Sequence, residues 1–584
     1  MLYRFALGLL VLSLPLIASA AEQPREVAPA PRLVKVTEKA APTPVRASPL
    51  TPAARPDGMP ITGLSPSKLF SNLCQYQYRV STSSPECQQF CDQGLGFYYS
   101  YVWIEAVRSF ETALKHDPEC AMAWLGLARS IEKWGGASKA PSNVGFLALA
   151  GTIPTAKLPD RFGKAPKDFA LETSKAYMER ASHREQLLIT AKLQEKGMWP
   201  KVTPEDRKKK ATETLDELLT LYDDDQEGWF ARAQIAEGKN ASAPFYKALL
   251  RINPIHPGAN HEFVHFYENI RRPALGWQYA EKYIESSPGI AHAFHMQAHL
   301  GMRVGKWTTT TDWSWRAVEL QKEYHKFQGV KPSEDHQFQH HMETLTRSLV
   351  HDGRFDEAKK IKKDAQGYNY SFHNEWFRMA LAQKDWAEAQ KRIDTLRKSD
   401  KANAAYHAAL VALEQGDTKK ATAEVDILRG GNGKRGGPGG SKNEYRLWEV
   451  QGRLMCQTGQ SEAGCKLFRK IIDKTKNDYT YHSWGGGAYY MEMWGIAALE
   501  GGVASEAEEG FLEALAHDSG SVRGALGLWA LCDRLGRTDE AARYMKLAQK
   551  CWAKAEPKDF DMMKADMAKR AKSVNPSIAA SGAK

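Results

Sequence analysis

The chain has 584 residues, 42% hydrophobic and 26% charged, with a formal net charge of +11. That balance fits a soluble protein with a substantial core, and past the N-terminus no apolar run is long enough to cross a bilayer. The densest basic run, Arg207-Lys208-Lys209-Lys210, comes with no nucleic-acid motif, so it reads as a solvated helix end and no nucleic-acid partner is expected.

Residues 1–20 read as a secretory signal. Arg4 supplies the positive end, Phe5 to Ile17 the apolar stretch, and Ala18-Ser19-Ala20 a small-x-small cleavage site without a lipobox cysteine. The expected product is exported, periplasmic or associated with the cell envelope, with no transmembrane span after cleavage. Residues 21–66 are rich in Pro, Ala, Thr and Lys and lack apolar periodicity, the pattern of a disordered tether.

An N-terminal repeat unit is expected over 67–134. Phe90, Gly94, Phe97, Ala106, Phe110, Ala113 and Pro118 stand at the spacings of a tetratricopeptide repeat. Small residues let two helices approach, large ones fill the groove between them, and the proline ends the second helix. Residues 135–208, with their Gly, Pro and Lys, read as a helical insertion. Regular pairs resume in a central array over 209–365, where Pro254 and Pro288 mark successive repeat ends. A C-terminal array over 366–570 carries further hairpins, interrupted by a glycine-rich connector at Gly430 to Gly440, and 571–584 reads as a disordered tail. No strand alternation appears. The fold class is therefore all-α: a tetratricopeptide-repeat α-solenoid of stacked helical hairpins, with a concave surface lined by the first helix of each pair and suited to a protein or peptide ligand.

Eight cysteines in an exported chain are candidates for pairing. Cys456 and Cys465 flank a tight turn and can face each other, whereas Cys532 and Cys551 are poorer partners. Cys74, Cys87, Cys91 and Cys120 cluster toward the N-terminus, where one or two bridges are expected. Cys87-x3-Cys91 also has the form of a metal pair, without the further partners of a zinc site.

The chemistry concentrates in the central array. His261 and His265 are four apart on one helix face, with Glu268 one turn on, and His295 and His299 repeat the pair 34 residues later. Aligning Gly353 with Gly305 brings His340 and Glu343 from the next first helix, beside His292, toward the same channel. Adjacent helices pack about 8–10 Å apart, so imidazoles from both sides can meet at one ion with bonds of about 2.0–2.1 Å. His261, His265, Glu268, His295 and His299 are thus candidate metal ligands, with His292, His340 and Glu343 peripheral. Zinc or copper suits imidazole-rich ligation. The segment His261-Glu262-Phe263-Val264-His265 also spells H-E-x-x-H, in which Glu262 would be the general base of a metal-dependent hydrolase. No substrate-binding edge strand is expected beside that helix, so a binding or scaffold role is preferred to an enzyme.

The segments Phe90-Cys91-Asp92-Gln93-Gly94-Leu95, Asp117-Pro118-Glu119-Cys120-Ala121-Met122-Ala123, His256-Pro257-Gly258-Ala259-Asn260-His261 and His295-Met296-Gln297-Ala298-His299 resemble an exported bacterial tetratricopeptide-repeat family. The resemblance spans about residues 87–360. It implies histidines at the positions of His261, His265, His295 and His299 and a glutamate at that of Glu268, but requires none at 262. The family often has Pro where Gln297 stands and His where Glu343 stands. It implies a fold and no settled activity.

Overall fold

The computed structural model describes residues 58–59, 61–137, 166–238, 240–431, 440–476 and 488–576. The expected signal, most of the tether, residues 138–165 of the insertion, residues 432–439 of the glycine-rich connector and the end of the tail lie outside these. Among the described residues there are 25 α-helices and no strand, and no helix is long and apolar enough to cross a membrane.

The N-terminal helices are α1 (Pro85–Tyr99), α2 (Trp103–His116), α3 (Ala121–Ala137), α4 (Pro166–Ala176), α5 (His183–Glu195), α6 (Arg207–Leu221), α7 (Gln226–Gln234) and α8 (Ala243–Ile252). The central array holds α9 (Pro257–Asn269), α10 (Trp277–Ser286), α11 (Ala291–Arg303), α12 (Trp307–Gln328), α13 (Phe338–His351) and α14 (Phe355–Gly367). Next come α15 (His373–Ala382), α16 (Trp386–Ser399), α17 (Lys401–Gln415), α18 (Thr418–Gly431), α19 (Gly440–Gln457) and α20 (Ser461–Thr475). The last are α21 (Tyr489–Glu500), α22 (Ala504–His517), α23 (Val522–Arg534), α24 (Thr538–Cys551) and α25 (Pro557–Ala571). Successive helices pack as antiparallel hairpins, and each hairpin stacks on the next. The fold is an α-solenoid.

Local chemistry explains the stacking. Ser84, Asp225, Asp385 and Asp400 cap α1, α7, α16 and α17 through side-chain oxygens that accept backbone N–H groups. The Phe110 ring sits between Gly94 and Gly126, where an added Cβ would approach it to 2.9 and 2.3 Å. Phe511 sits likewise between Gly495 and Gly527, at 2.5 and 2.3 Å. The two triplets share one spacing near opposite ends of the chain, so one packing rule builds both arrays. Gly305 and Gly353, the pair used to align the repeats, turn at φ 71° and 73° after α11 and α13, in the left-handed region that favours glycine.

Long-range contacts curl the solenoid onto itself. The turn after α11 meets the turn after α22, where Trp307 Nε1 donates to Asp518 at 3.0 Å and Ser519 Oγ to the Val304 carbonyl at 2.8 Å. Trp552 Nε1 donates to the His351 carbonyl at 2.7 Å. Residues 61–66, read above as the end of the tether, are strapped down: Ile61 and Thr62 N–H groups donate to the buried Glu111 carboxylate at 2.6 and 3.2 Å, and Leu64 is buried. A buried carboxylate needs donors, and the extended segment supplies them. The 207–210 run opens α6 on the surface, with Lys208 and Lys210 paired to Glu237 and Glu213.

Candidate metal centre

The first helices α9, α11 and α13 lie side by side, as the repeat arithmetic requires. His256 caps α9, its Nδ1 accepting the Ala259 N–H at 3.2 Å, and Pro257 pre-sets the first turn. Down α9, His261 is fully buried and His265 partly so. On α11, His292, His295 and His299 are buried, and α13 contributes His340 and the buried His341.

Two kinds of histidine are present. His261 Nδ1–H donates to the Tyr99 carbonyl at 2.7 Å, which leaves Nε2 as the lone-pair nitrogen. That Nε2 lies 3.1 Å from His265 Nε2 and 3.2 Å from His292 Nε2. His265 Nδ1 faces Glu268 at 3.2 Å, and against the penalty of burial this carboxylate holds the His265 pKa above its ordinary value. A proton on His265 therefore satisfies the 261–265 contact without an ion. Glu268 also receives Arg303 Nε at 2.7 Å and has His299 Nδ1 at 3.6 Å, so it orients histidines from inside an ion-pair network.

The other kind has no such resolution. His292, His295 and His341 each offer a ring nitrogen, all within 4.8 Å of one another, and so do His295, His299 and His340. His295 Nδ1 and Nε2, His292 Nδ1 and His341 Nε2 are buried with no protein partner. Burial, reinforced by neighbouring imidazoles, holds His292, His295 and His340 well below the ordinary histidine range. Burial likewise brings His341 down to about 3. They are neutral at pH 7 and carry lone pairs, the form a metal needs. Two nitrogens bound to one ion stand about 2.9–3.4 Å apart for bonds of about 2.0–2.1 Å, so the 4.8 Å envelope closes onto an ion with modest side-chain movement.

The His341 ring is aimed by a polar chain. Its Nδ1–H donates to Gln321 Oε1 at 2.6 Å, the Gln321 amide donates to Asp335, and Asp335 accepts His325 Nε2 at 2.7 Å. This leaves Nε2 toward the cluster, the arrangement by which outer partners set a ligating histidine's tautomer.

A third wall comes from far upstream. Tyr101, in the α1–α2 turn, holds φ 58°, where a non-glycine residue costs about 1–2 kcal/mol. Its ring stacks on His265 at 5.7 Å, its carbonyl accepts His336 and Gln337 side-chain N–H groups at 3.3 and 3.2 Å, and its hydroxyl donates to Glu262 at 2.8 Å. Glu262 also accepts the Gln234 amide at 3.4 Å. Tyr101, Trp103 and Gln234 share the wall of a neighbouring cavity of about 580 Å³, lined further by Tyr98, Arg129 and Lys192.

Of the residues singled out from sequence, His261, His265, Glu268, His292, His295, His299 and His340 are gathered here. Glu343 is half-exposed and pairs with Arg347 at 3.3 Å. Its side chain is drawn to that guanidinium. Sequence reasoning missed His341, Gln321, Asp335, Tyr99 and Tyr101. The signal for His341 was its adjacency to His340; the others carry none. All eight cysteines are unbonded. Cys456 and Cys465 face each other across their turn within hydrogen-bond reach, whereas Cys532 contacts Arg537 and Cys551 the Ser519 carbonyl.

The tetratricopeptide repeat family matches at residues 103–133 and 374–432. The chain is thus a solenoid of helical hairpins, two stretches of which match the tetratricopeptide repeat. No curated protein matches the sequence. Among solved structures the chain is similar to yeast Tom70 (10% identity, TM-score 0.22, covering 80% of this chain and 89% of that one). It is similar also to the APC/C hetero-tetramer Cut9–Hcn1 (12%, 0.27, 78% and 76%) and to the P58(IPK) TPR domain (10%, 0.21, 80% and 98%).

Proposed function

We propose that this chain is an exported repeat protein, periplasmic or held at the cell envelope, that docks a protein or peptide in its groove and carries a transition ion, zinc or copper, on its histidines. One observation carries the metal: the buried His292–His295–His341 triad, whose converging ring nitrogens lack protein partners. Leaving such groups buried and unpaired costs about 1–3 kcal/mol each, a cost that an ion removes. His295 belongs to both groups of three and is the central ligand. Glu268 acts from outside, orienting His265 and His299. The adjoining cavity, with its tyrosines, Trp103 and Arg129, supports partner docking through aromatic and cationic contacts.

A hydrolase would use Glu262 as base beside an ion on His261 and His265. Glu262 is engaged by Tyr101 and Gln234, and a proton on His265 satisfies the histidine pair, so the binding role is the better supported.

Elemental analysis of mature protein made without a His tag tests this, with His295→Ala alongside. Stoichiometric zinc or copper that the variant loses supports the reading. No metal in either protein after both ions are offered leaves a metal-free scaffold. Peptide hydrolysis abolished by Glu262→Gln with the ion retained would replace binding by catalysis. A mature mass beginning at Ala21 is the expected mark of export.

A further inference from the structure

A second cluster lies in the first repeat, away from the histidines. Cys87 and Cys91 stand one turn apart on α1, and Cys120 sits immediately before α3. Their three sulfurs lie within 4.8 Å of one another, and all three residues are 0–1% exposed. The sequence presents only the pair on α1. The third thiol arrives because the α1–α2–α3 packing brings the start of α3 back beside the first turn of α1.

The three thiols hydrogen-bond to one another in the core of the first repeat. Cys87 is in the first turn of α1, its own N–H bonded to Ser84 Oγ at 3.1 Å, and the Cys120 sulfur accepts the Ala123 N–H in the first turn of α3. The N-terminus of α3 therefore donates to the cluster. Hydrogen bonds from Cys120 and Cys91 draw the Cys87 thiol strongly down, while the other two are pushed up.

We infer that Cys87, Cys91 and Cys120 form a three-sulfur site for a soft monovalent ion, Cu(I), independent of the histidine centre. Three sulfurs about 2.3 Å from a common ion stand about 4.0 Å apart, inside the observed envelope. The donor set is all thiol, which selects soft ions. Zinc wants a fourth ligand, whereas the described group has three donors and is closed to solvent. Binding forms Cu–S bonds and breaks S–H bonds, the thiol protons pass to solvent, and no electron is transferred. Cys74, more exposed and beside Ser287, lies outside the group and serves as control.

The test is an anaerobic Cu(I) titration of the full chain against a competing chelator, in a His295→Ala background so that copper on the histidines does not contribute. X-ray absorption reports the donor atoms. The expected result is one Cu(I) per chain with sulfur-only ligation, unchanged by Cys74→Ser. Cys91→Ser should weaken it by more than the roughly 100-fold that outer partners are worth. Cys120→Ala, which removes the donor outside α1, repeats the test should Cys91→Ser fail to fold. Equal copper affinity in these variants, nitrogen donors at the ion, or a disulfide among the three cysteines that persists in the reduced native protein would each overturn the site.

Discussion

The inner positions of the central and C-terminal arrays carry opposite solutions to the same problem. In the C-terminal array, Arg453 is 2% exposed yet fully engaged, pairing with Glu414 at 2.6 Å and Glu500 at 2.7 Å, while Arg570 reaches the same two carboxylates. None of these four residues has a buried atom without a partner. In the central array the equivalent volume is filled by imidazoles, and His292, His295 and His341 keep ring nitrogens that no protein group meets. A closed charge network is complete as folded, whereas the histidine set leaves buried ring nitrogens without a hydrogen-bond partner. One repeat fold thus holds a structural tie at one end and, nearer its middle, the histidines to which an ion is assigned in the proposed function.

The sharpest break in that comparison is Arg453→Ala, which leaves the half-buried Glu414 and Glu500 beside a single arginine. A loss of about 3–5 kcal/mol in unfolding free energy is expected, read by urea denaturation, with metal content unchanged. His295→Ala should behave in reverse. The metal-free protein should lose about 1 kcal/mol or less. The wild type should gain about 2.7 kcal/mol at an ion concentration 100 times the dissociation constant, and the variant should lose that gain, measured by thermal melts with and without a chelator. Asp335→Asn addresses the chain that aims His341. It should weaken the ion by about 10–100-fold in competition titrations without removing any ligand. Tyr101→Phe is the mildest change. It deletes one hydroxyl bond to Glu262 and should cost about 0.5–1.5 kcal/mol, with metal stoichiometry intact. If Arg453→Ala removed the ion, or His295→Ala unfolded the chain, the two regions would not be separable.

The neutral state of the histidines follows from their depth. Desolvation is the largest cause lowering His261, His292, His295, His299, His340 and His341. His265, beside Glu268, is the exception. The site is therefore seven imidazoles, of which two face the Glu268 carboxylate and only His265 is raised by it above its ordinary value.

Everything governed by short periods was legible in the chain itself. Helical spacing put His261 with His265 and His295 with His299 on single faces, and the repeat length set α9 beside α11. The Gly305–Gly353 alignment brought α13 into the same channel, because each of these steps depends only on residues within one or two hairpins. What tertiary structure alone decided is every contact made across many repeats. The Tyr99 carbonyl on His261 and the Tyr101 ring over His265 are of this kind; the Gln321–Asp335 chain behind His341 and the Cys120 sulfur beside Cys87 join neighbouring helices whose side-chain packing no short period sets. Glu343 instead turns to Arg347 one helical turn on, a local pair within α13 that competes with the repeat alignment. The contacts across repeats depend on how helices pack and how the small rotations between repeats accumulate along a solenoid, and no local pattern of residues encodes that accumulated geometry.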